Sequence, residues 1–401
     1  MADDSVWILG TSMTRFGKHP DADIIDLAAE ASLGALADGT VTIHDMDILA
    51  AGSLVNAGAG VGQQLQKQIG QTGIPVYNVA NACATGATAL RTVLMAVKAG
   101  EAEMGLAVGV EKLSGAGLLG APASVNRDRN VYAPSGRYGA VLPAEGFLGT
   151  GLMPGVFAQI GMQYAEKWGD VTFDHFARIS EKNHGHSSLN PLAAYQKAFT
   201  LDEIKEAEMI AYPNTKLMCS GNVDGAAAAV VVSGERLAAM DPAVRARAVK
   251  ISASVLTSDP WSESGQVLPD VNTLTQNAAA AAYEEAGVGP EDLDLVELHD
   301  CFATAELVHY ENLGLCEPGG AADFLDSGAP YRDGRMPVNV SGGLQSKGHP
   351  IGATGIANVY EVATHLRGEA GDRQIEAARV GLTHVIGLGS SCGVHVLEKA
   401  A

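Results

Sequence analysis

The sequence predicts an α/β fold in which one half-chain is written twice, each half alternating strands and helices around a mostly parallel sheet. Three observations carry this. A strand–helix–strand order near the start recurs late in the chain, a small-residue segment and a helix follow the third strand of each half, and one long interruption separates otherwise matching halves.

In the first half, the apolar run 6–10 (VWILG) reads as a strand, an Ala-rich helix covers about 25–38, and 46–52 (MDILAAG) is the second strand. The same order returns as 249–255 (VKISASV), a helix at about 274–287, and 293–298 (LDLVEL). The third strand, 76–80 (VYNVA), is echoed by 337–341 (PVNVS), and the fourth, 104–109 (MGLAVG), by 384–389 (HVIGLG). A fifth apolar run at 226–234 corresponds to 392–398. The second half joins its last two strands almost directly, whereas the first half interposes residues 111–223. That stretch holds Gly- and Pro-containing loops such as SGAGLLGAPAS, a helix at about 155–168, and DHFARISEKNHGHSSLNP. An insertion of this length with helices of its own predicts a substrate-covering subdomain. The expected division is 1–110 with 224–245, the insertion 111–223, and 246–401.

The chain has 401 residues, 47% hydrophobic and 18% charged, ample for buried cores. Its 26 basic and 46 acidic side chains give a net charge of −20, which repels nucleic acid phosphates and anionic lipid but leaves room for a small anion held by a few local cations. Cys83, Cys219, Cys301, Cys316 and Cys392 are widely spaced without a CxxC pair, so neither a disulfide framework nor a metal site is expected. The acidic start MADDSVWILG does not read as a signal peptide or membrane span, and LEKAA is not a peroxisomal tripeptide; both predict a cytoplasmic chain.

Three segments carry chemistry. In NACATGATAL, Cys83 stands after a strand at the mouth of a helix, where free N–H groups and the positive dipole end favour a thiolate; a small buried residue in a tight turn is the alternative. In LHDCFATAEL, His299, Asp300 and Cys301 fall where a strand ends, the edge at which α/β sites form, although Asp300 as a helix N-cap explains the segment equally well. In SGGLQSKGHPIGATG, five glycines and Pro350 deliver His349 into a stiffened loop, either as a base for a thiol or as part of a phosphate-cradling turn. Cys83 and His349 both follow the third strand of their halves, so a pseudo-two-fold axis would bring them together. GAGVG at 58–62 lacks the spacing of a dinucleotide loop.

With these motifs in this order, the sequence resembles the thiolase superfamily along essentially its whole length, most of all the sterol-carrier-protein-type and archaeal thiolases. The resemblance implies two βαβαβαββ halves in a five-layer αβαβα arrangement with a loop domain over the site, a homodimer or homotetramer, and a place in lipid metabolism such as fatty acid β-oxidation. It implies coenzyme A and acyl-CoA as substrates, with no permanently bound cofactor. By the motifs, Cys83 would be the acylated nucleophile, His349 its base, His299 a donor to a thioester oxyanion, and the N–H groups of Cys83 and Gly389 a second oxyanion hole. Gly348 and Ser341 are expected to contact substrate. Many thiolases carry a second cysteine in a late CxG motif; here Gly387 occupies that place and Cys392 comes too late, so Cys301 is the expected acid/base. Lys182, Lys197 and Lys216 are candidates for the CoA phosphates. Some thiolase-like chains work only with a small OB-fold partner, some have become aldolases without the cysteine, and a non-catalytic CoA-binding scaffold is a further alternative; the intact Cys83, Cys301 and His349 argue against the aldolase.

Overall fold

The computed structural model describes residues 4–114, 135–136, 139–140, 152–260, 271–388 and 391–400. The chain opens with β1 (Val6–Met13), α1 (Ile24–Asp38), β2 (Ile48–Gly52), α2 (Val61–Ile69), β3 (Val76–Val79), α3 (Thr85–Lys98) and β4 (Met104–Glu111). The insertion contributes α4 (Leu152–Trp168) and α5 (Phe173–Ser187) before β5 (Gly225–Ser233). The second half runs β6 (Val249–Thr257), α6 (Val271–Ala286), β7 (Leu295–Glu297), α7 (Ala303–Asn312), α8 (Thr354–Arg367), β8 (Val380–Gly387) and β9 (Ser391–Lys399).

Local chemistry sets several of these boundaries. Asp23 starts α1 by accepting from the N–H groups of Ile25 (2.7 Å) and Asp26 (2.8 Å), while Asp26 reaches back to the Asp23 N–H at 3.0 Å. This reciprocal cap satisfies donors that have no intrahelical partner. The Ala-rich face behind it buries Leu27, Ala28, Ala31 and Ala35.

The nine strands form one continuous sheet in the order β7–β8–β9–β6–β1–β5–β4–β2–β3. From the central β1–β6 joint outward, the two wings repeat the same sequence of elements, which is the duplication expected from the sequence. The expected parallel character is not observed. Only β2–β3, β2–β4 and β7–β8 are parallel; all pairings through β1, β5, β6 and β9 are antiparallel. For β8–β9 the short connection can only return the chain antiparallel. The expected strand at 337–341 is also reduced to one bridge between Val296 and Val338. Asn339 turns to a positive φ of 55° and uses its side chain instead, accepting from the Leu298 N–H at 2.9 Å and donating to Glu306 at 2.9 Å.

Because successive strand residues face opposite sides, each wing is covered twice. On one outer face, Leu9, Leu49, Leu106 and Val230 pack with Leu27 of α1 and Leu65 of α2. Between the wings, Leu90 and Val93 of α3 and Ile356 and Val362 of α8 pack with Ile8, Val231, Ile251 and Leu295 from both halves. On the other outer face, Leu274 of α6, Leu307 of α7 and Phe176 of α5 cover Val296, Leu382 and Val394. The layers run αβαβα, with α3 and α8 in the middle.

Two glycines decide how closely those middle helices start. A Cβ on Gly86 would lie 2.9 Å from the Gly352 carbonyl oxygen, and one on Gly355 would lie 2.3 Å from the Ala87 nitrogen. Any other residue would push the two helix N-termini apart. The close approach places the segments before α3 and α8, and with them Cys83 and His349, side by side.

Candidate active site

Cys83 is presented by a turn held from several directions. Ala82 adopts φ 47°, a left-handed conformation that costs a non-glycine residue roughly 1–3 kcal/mol. The surrounding bonds enforce it: the Asn81 N–H donates to Thr85 Oγ1 at 2.8 Å, Thr85 Oγ1 donates to the Ala82 carbonyl at 2.6 Å, and Ser391 Oγ donates to the Asn81 carbonyl at 3.1 Å. Cys83 is 7% exposed. Burial pushes its thiol up to about 12, helped by the nearby Glu111 carboxylate and opposed only by the backbone N–H of Cys83 itself. The helix mouth was expected to lower the thiol toward neutrality; burial acts in the opposite direction and favours the neutral thiol.

His349 is held by the start of α8. Thr354 Oγ1 donates to the Pro350 carbonyl at 3.0 Å, so toward His349 Nδ1, 2.7 Å away, it acts as acceptor. That assignment puts the ring proton on Nδ1 and leaves Nε2, buried and without a partner among the described residues, as the basic nitrogen. Burial, with a smaller push from Lys347, lowers the imidazole to about 3, so it is neutral at physiological pH. Thr354 was not singled out from the sequence, yet a signal existed: Ala84–Thr85–Gly86 recurs as Ala353–Thr354–Gly355 at the equivalent place in the second half.

His299 and Cys301 come from the loop after β7. The rings of His299 and His349 meet edge to face at a centroid distance of 5.3 Å, and His299 Nδ1 is buried without a partner among the described residues. Burial and the neighbouring imidazoles hold His299 well below its ordinary value. Cys301 is pushed well above 9.0 by burial, then by Cys83, Asp300 and Cys219. Asp300 does not cap the helix that follows, which starts at Ala303. Its carboxylate instead accepts from the Leu344 N–H (2.7 Å) and Asn183 Nδ2 (2.9 Å), tying the HDCF loop to the loop that carries His349.

Donor atoms of Cys83, His299 and His349 all lie within 4.8 Å of one another, a Cys–His–His cluster that the spacing of the cysteines did not foreshadow. With Cys301 they line a cavity of about 550 Å³. Leu113, Met153, Phe157, Phe302, Ile351 and Leu388 give it apolar walls; Phe157 stacks on Phe302 at 5.3 Å. Tyr195, Lys216, Ser220 and Asn222 bring polar groups. Tyr195 and Lys216 are exposed and mark the open side.

Other expected positions separate. Lys182 is buried and ion-paired to Glu306 at 2.8 Å, with a hydrogen bond to the Val338 carbonyl, so it is not a phosphate ligand. Lys197 lies off the cavity, over the Phe199 ring and beside Glu203. Lys216 stays available, with only a 3.9 Å approach to Glu208. Ser341 does not line the cavity: its hydroxyl donates to Glu297 at 2.5 Å, and its N–H to the same carboxylate at 3.0 Å. Gly348 also lies off the cavity, and its φ of 114° shapes the turn before His349. Gly389 and residues 115–134, 137–138 and 141–151 fall outside the described residues.

A buried thiol beside a buried imidazole lies where the two halves of a duplicated α/β fold meet. Residues 6–133 match the family model for the thiolase N-terminal domain and residues 262–399 that for the thiolase C-terminal domain-like fold; the chain belongs to the thiolase family. It is 34% identical to the acetyl-CoA acetyltransferase of Methanothermobacter thermautotrophicus over 98% of this chain and 99% of that protein. It is 37% identical to human sterol carrier protein 2 over 96% of this chain and 70% of that longer protein. In fold it matches the Ltp2–ChsH2(DUF35) aldolase, covering 100% of this chain and 99% of that one at a TM-score of 0.80 and 23% identity. Family and fold together support a thiolase-type acyltransferase. No helix among the described residues is long and apolar enough to cross a membrane.

Proposed function

We propose that the protein catalyses CoA-dependent thiolytic cleavage of 3-ketoacyl-CoA, or the reverse Claisen condensation, through an acyl group carried on Cys83. The observation that carries this is the arrangement of Cys83, whose thiol is neutral at rest, beside His349, whose Nδ1 meets Thr354 and whose Nε2 has no partner among the described residues. Cys83 Sγ attacks the C3 carbonyl while its proton passes to His349 Nε2, so that charge appears only as the new C–S bond forms. The C2–C3 bond then breaks. The electron pair left on C2 takes a proton from Cys301, whose high-lying thiol keeps that proton until a carbanion demands it. An incoming CoA thiol returns a proton to Cys301 and attacks the Cys83 thioester, releasing the shortened acyl-CoA, and the departing Cys83 sulfur takes back the proton held on His349. His299 faces the oxyanion, and the neutral cluster around it makes each donor worth more than in water.

The insertion 111–223 covers the acyl and pantetheine portions, Lys216 at the open side meets CoA phosphate, and the chain works in the cytoplasm as a homodimer or homotetramer. The name of the archaeal relative supports the acetyl-CoA chemistry. A second reading, support for which is the structural likeness to the Ltp2–ChsH2(DUF35) aldolase, is a thiolase-like subunit that acts only with a small OB-fold partner. Intact-protein mass after brief mixing with acetoacetyl-CoA separates the two. An acetyl-sized gain in wild type, absent in Cys83→Ala and discharged by CoA, is the expected result. No gain with short or longer ketoacyl-CoA overturns the stand-alone thiolase and directs attention to the partner.

A further inference from the structure

We infer that Cys83, His299 and His349 form a binding site for one thiophilic divalent cation, with Zn²⁺ the best match to the donors, and that occupancy reversibly closes the acyl-transfer site. The donor set is one sulfur and two imidazole nitrogens, within 4.8 Å of one another. A tetrahedral zinc with its usual bond lengths sets such donors roughly 3.3–3.6 Å apart, so side-chain rotations closing about 1 Å complete the geometry. Thiolate and imidazole ligands suit zinc over calcium or magnesium.

Three further observations point to a ligand here. His349 is 6% and His299 1% exposed, and each carries a buried ring nitrogen without a partner among the described residues. Buried ring nitrogens are costly to leave unsatisfied, and a metal ion satisfies one that carries its lone pair. The hydrogen bond that a metal-bound imidazole ordinarily makes through its other nitrogen is already in place, because Thr354 Oγ1 lies 2.7 Å from His349 Nδ1. The Glu111 carboxylate, close enough to disfavour a thiolate on Cys83, compensates the positive charge of an ion there, while Lys347, on the His349 side, is itself paired to Glu297 at 3.5 Å. Cys83, His299 and His349 all line the 550 Å³ cavity, which is the entry path and leaves room for a fourth ligand such as water or a thiol.

Binding forms a metal–sulfur bond, breaks the Cys83 S–H bond and releases that proton to solvent, with no change of oxidation state. The metal then occupies both the nucleophilic sulfur and the basic nitrogen, so acyl transfer stops until it leaves.

The test uses Co²⁺ as a spectroscopic probe on the purified full chain stripped with a chelator, and it does not depend on catalytic activity. The expected result is one equivalent of Co²⁺ giving tetrahedral visible bands and a thiolate-to-metal charge-transfer band, released by EDTA and displaced by Zn²⁺. Cys83→Ser loses the charge-transfer band, and His349→Gln weakens binding at least about tenfold. Zn²⁺ slows iodoacetamide labelling of the Cys83 peptide in wild type at least about tenfold, a readout that needs no variant to fold. Octahedral, thiolate-free spectra, a charge-transfer band that survives in Cys83→Ser, or unchanged labelling overturns the inference. A charge-transfer band in a protein that forms no acyl adduct would sustain the metal site and refute the acyl-transfer reading instead.

Discussion

Replacing Thr354 by Val removes one oxygen atom and nearly nothing else. In the structure that oxygen accepts from His349 Nδ1 at 2.7 Å and donates to the Pro350 carbonyl at 3.0 Å, with His349 6% and Thr354 0% exposed. The variant leaves a buried Nδ1–H unpaired, which costs about 1–3 kcal/mol, and the loss is felt most on the imidazolium that forms when Nε2 takes the Cys83 proton. The rate of acyl-Cys83 formation is therefore expected to fall about 5- to 150-fold with little change in KM, and Thr354→Ser, which keeps the hydroxyl, should restore most of it. Rapid-quench mass spectrometry with a saturating ketoacyl-CoA measures this directly. Acylation within twofold of wild type in a Thr354→Val protein of unchanged Tm would refute the claim that this hydroxyl supports the imidazolium.

Lys182→Met strands the Glu306 carboxylate in an interior where both side chains are 0% exposed, and urea denaturation is expected to show a loss of about 3–5 kcal/mol, recovered in part by adding Glu306→Gln. Gly355→Ala drives a Cβ to 2.3 Å from the Ala87 nitrogen, so a stability loss of about 1–3 kcal/mol should be accompanied by slower acylation as the two helix starts separate. Burial alone would raise the Asp38 carboxyl, but Arg247, the Thr11 N–H and Arg367 outweigh it and hold the group below 3.8. A depressed carboxylate stabilises the fold above its unfolded value and loses that contribution as pH falls through the folded one. The Tm difference between wild type and Asp38→Asn should therefore shrink on acidification from about pH 6 to about pH 3; a constant difference would show that the Arg247 and Arg367 contacts do not favour the ionised form.

The duplication was legible because apolar runs and their spacing report strands that must be buried, and all five runs of the first half became strands. What failed was pairing sense and one strand: 337–341 has the composition of a strand, but Asn339 spends its amide on Leu298 and Glu306, a tertiary choice with no local signal. Cys83, His299, Cys301 and His349 were found because motif and strand-end position agree, and the structure brings all four to one cavity. Lys182 and Ser341 were misjudged because their partners, Glu306 and Glu297, lie 124 and 44 positions away, so a buried charge and an exposed one look alike in sequence. The thiol was expected to be acidic because a helix mouth is visible in the sequence while desolvation is not.

Cys83 hangs from one copy of the repeated half-chain and His349 from the other, across the seam where Gly86 and Gly355 let the copies touch. In the positions that correspond to each other the copies have diverged: where one has Cys83 before its Ala–Thr–Gly triplet, the other has Gly352. A pair that needs unlike members cannot come from identical repeats, so the chemistry depends on the asymmetry accumulated between them. It also belongs to neither copy by itself, which makes the reactive pair a gauge of whether the two have closed on each other to within the width of a hydrogen atom on a glycine.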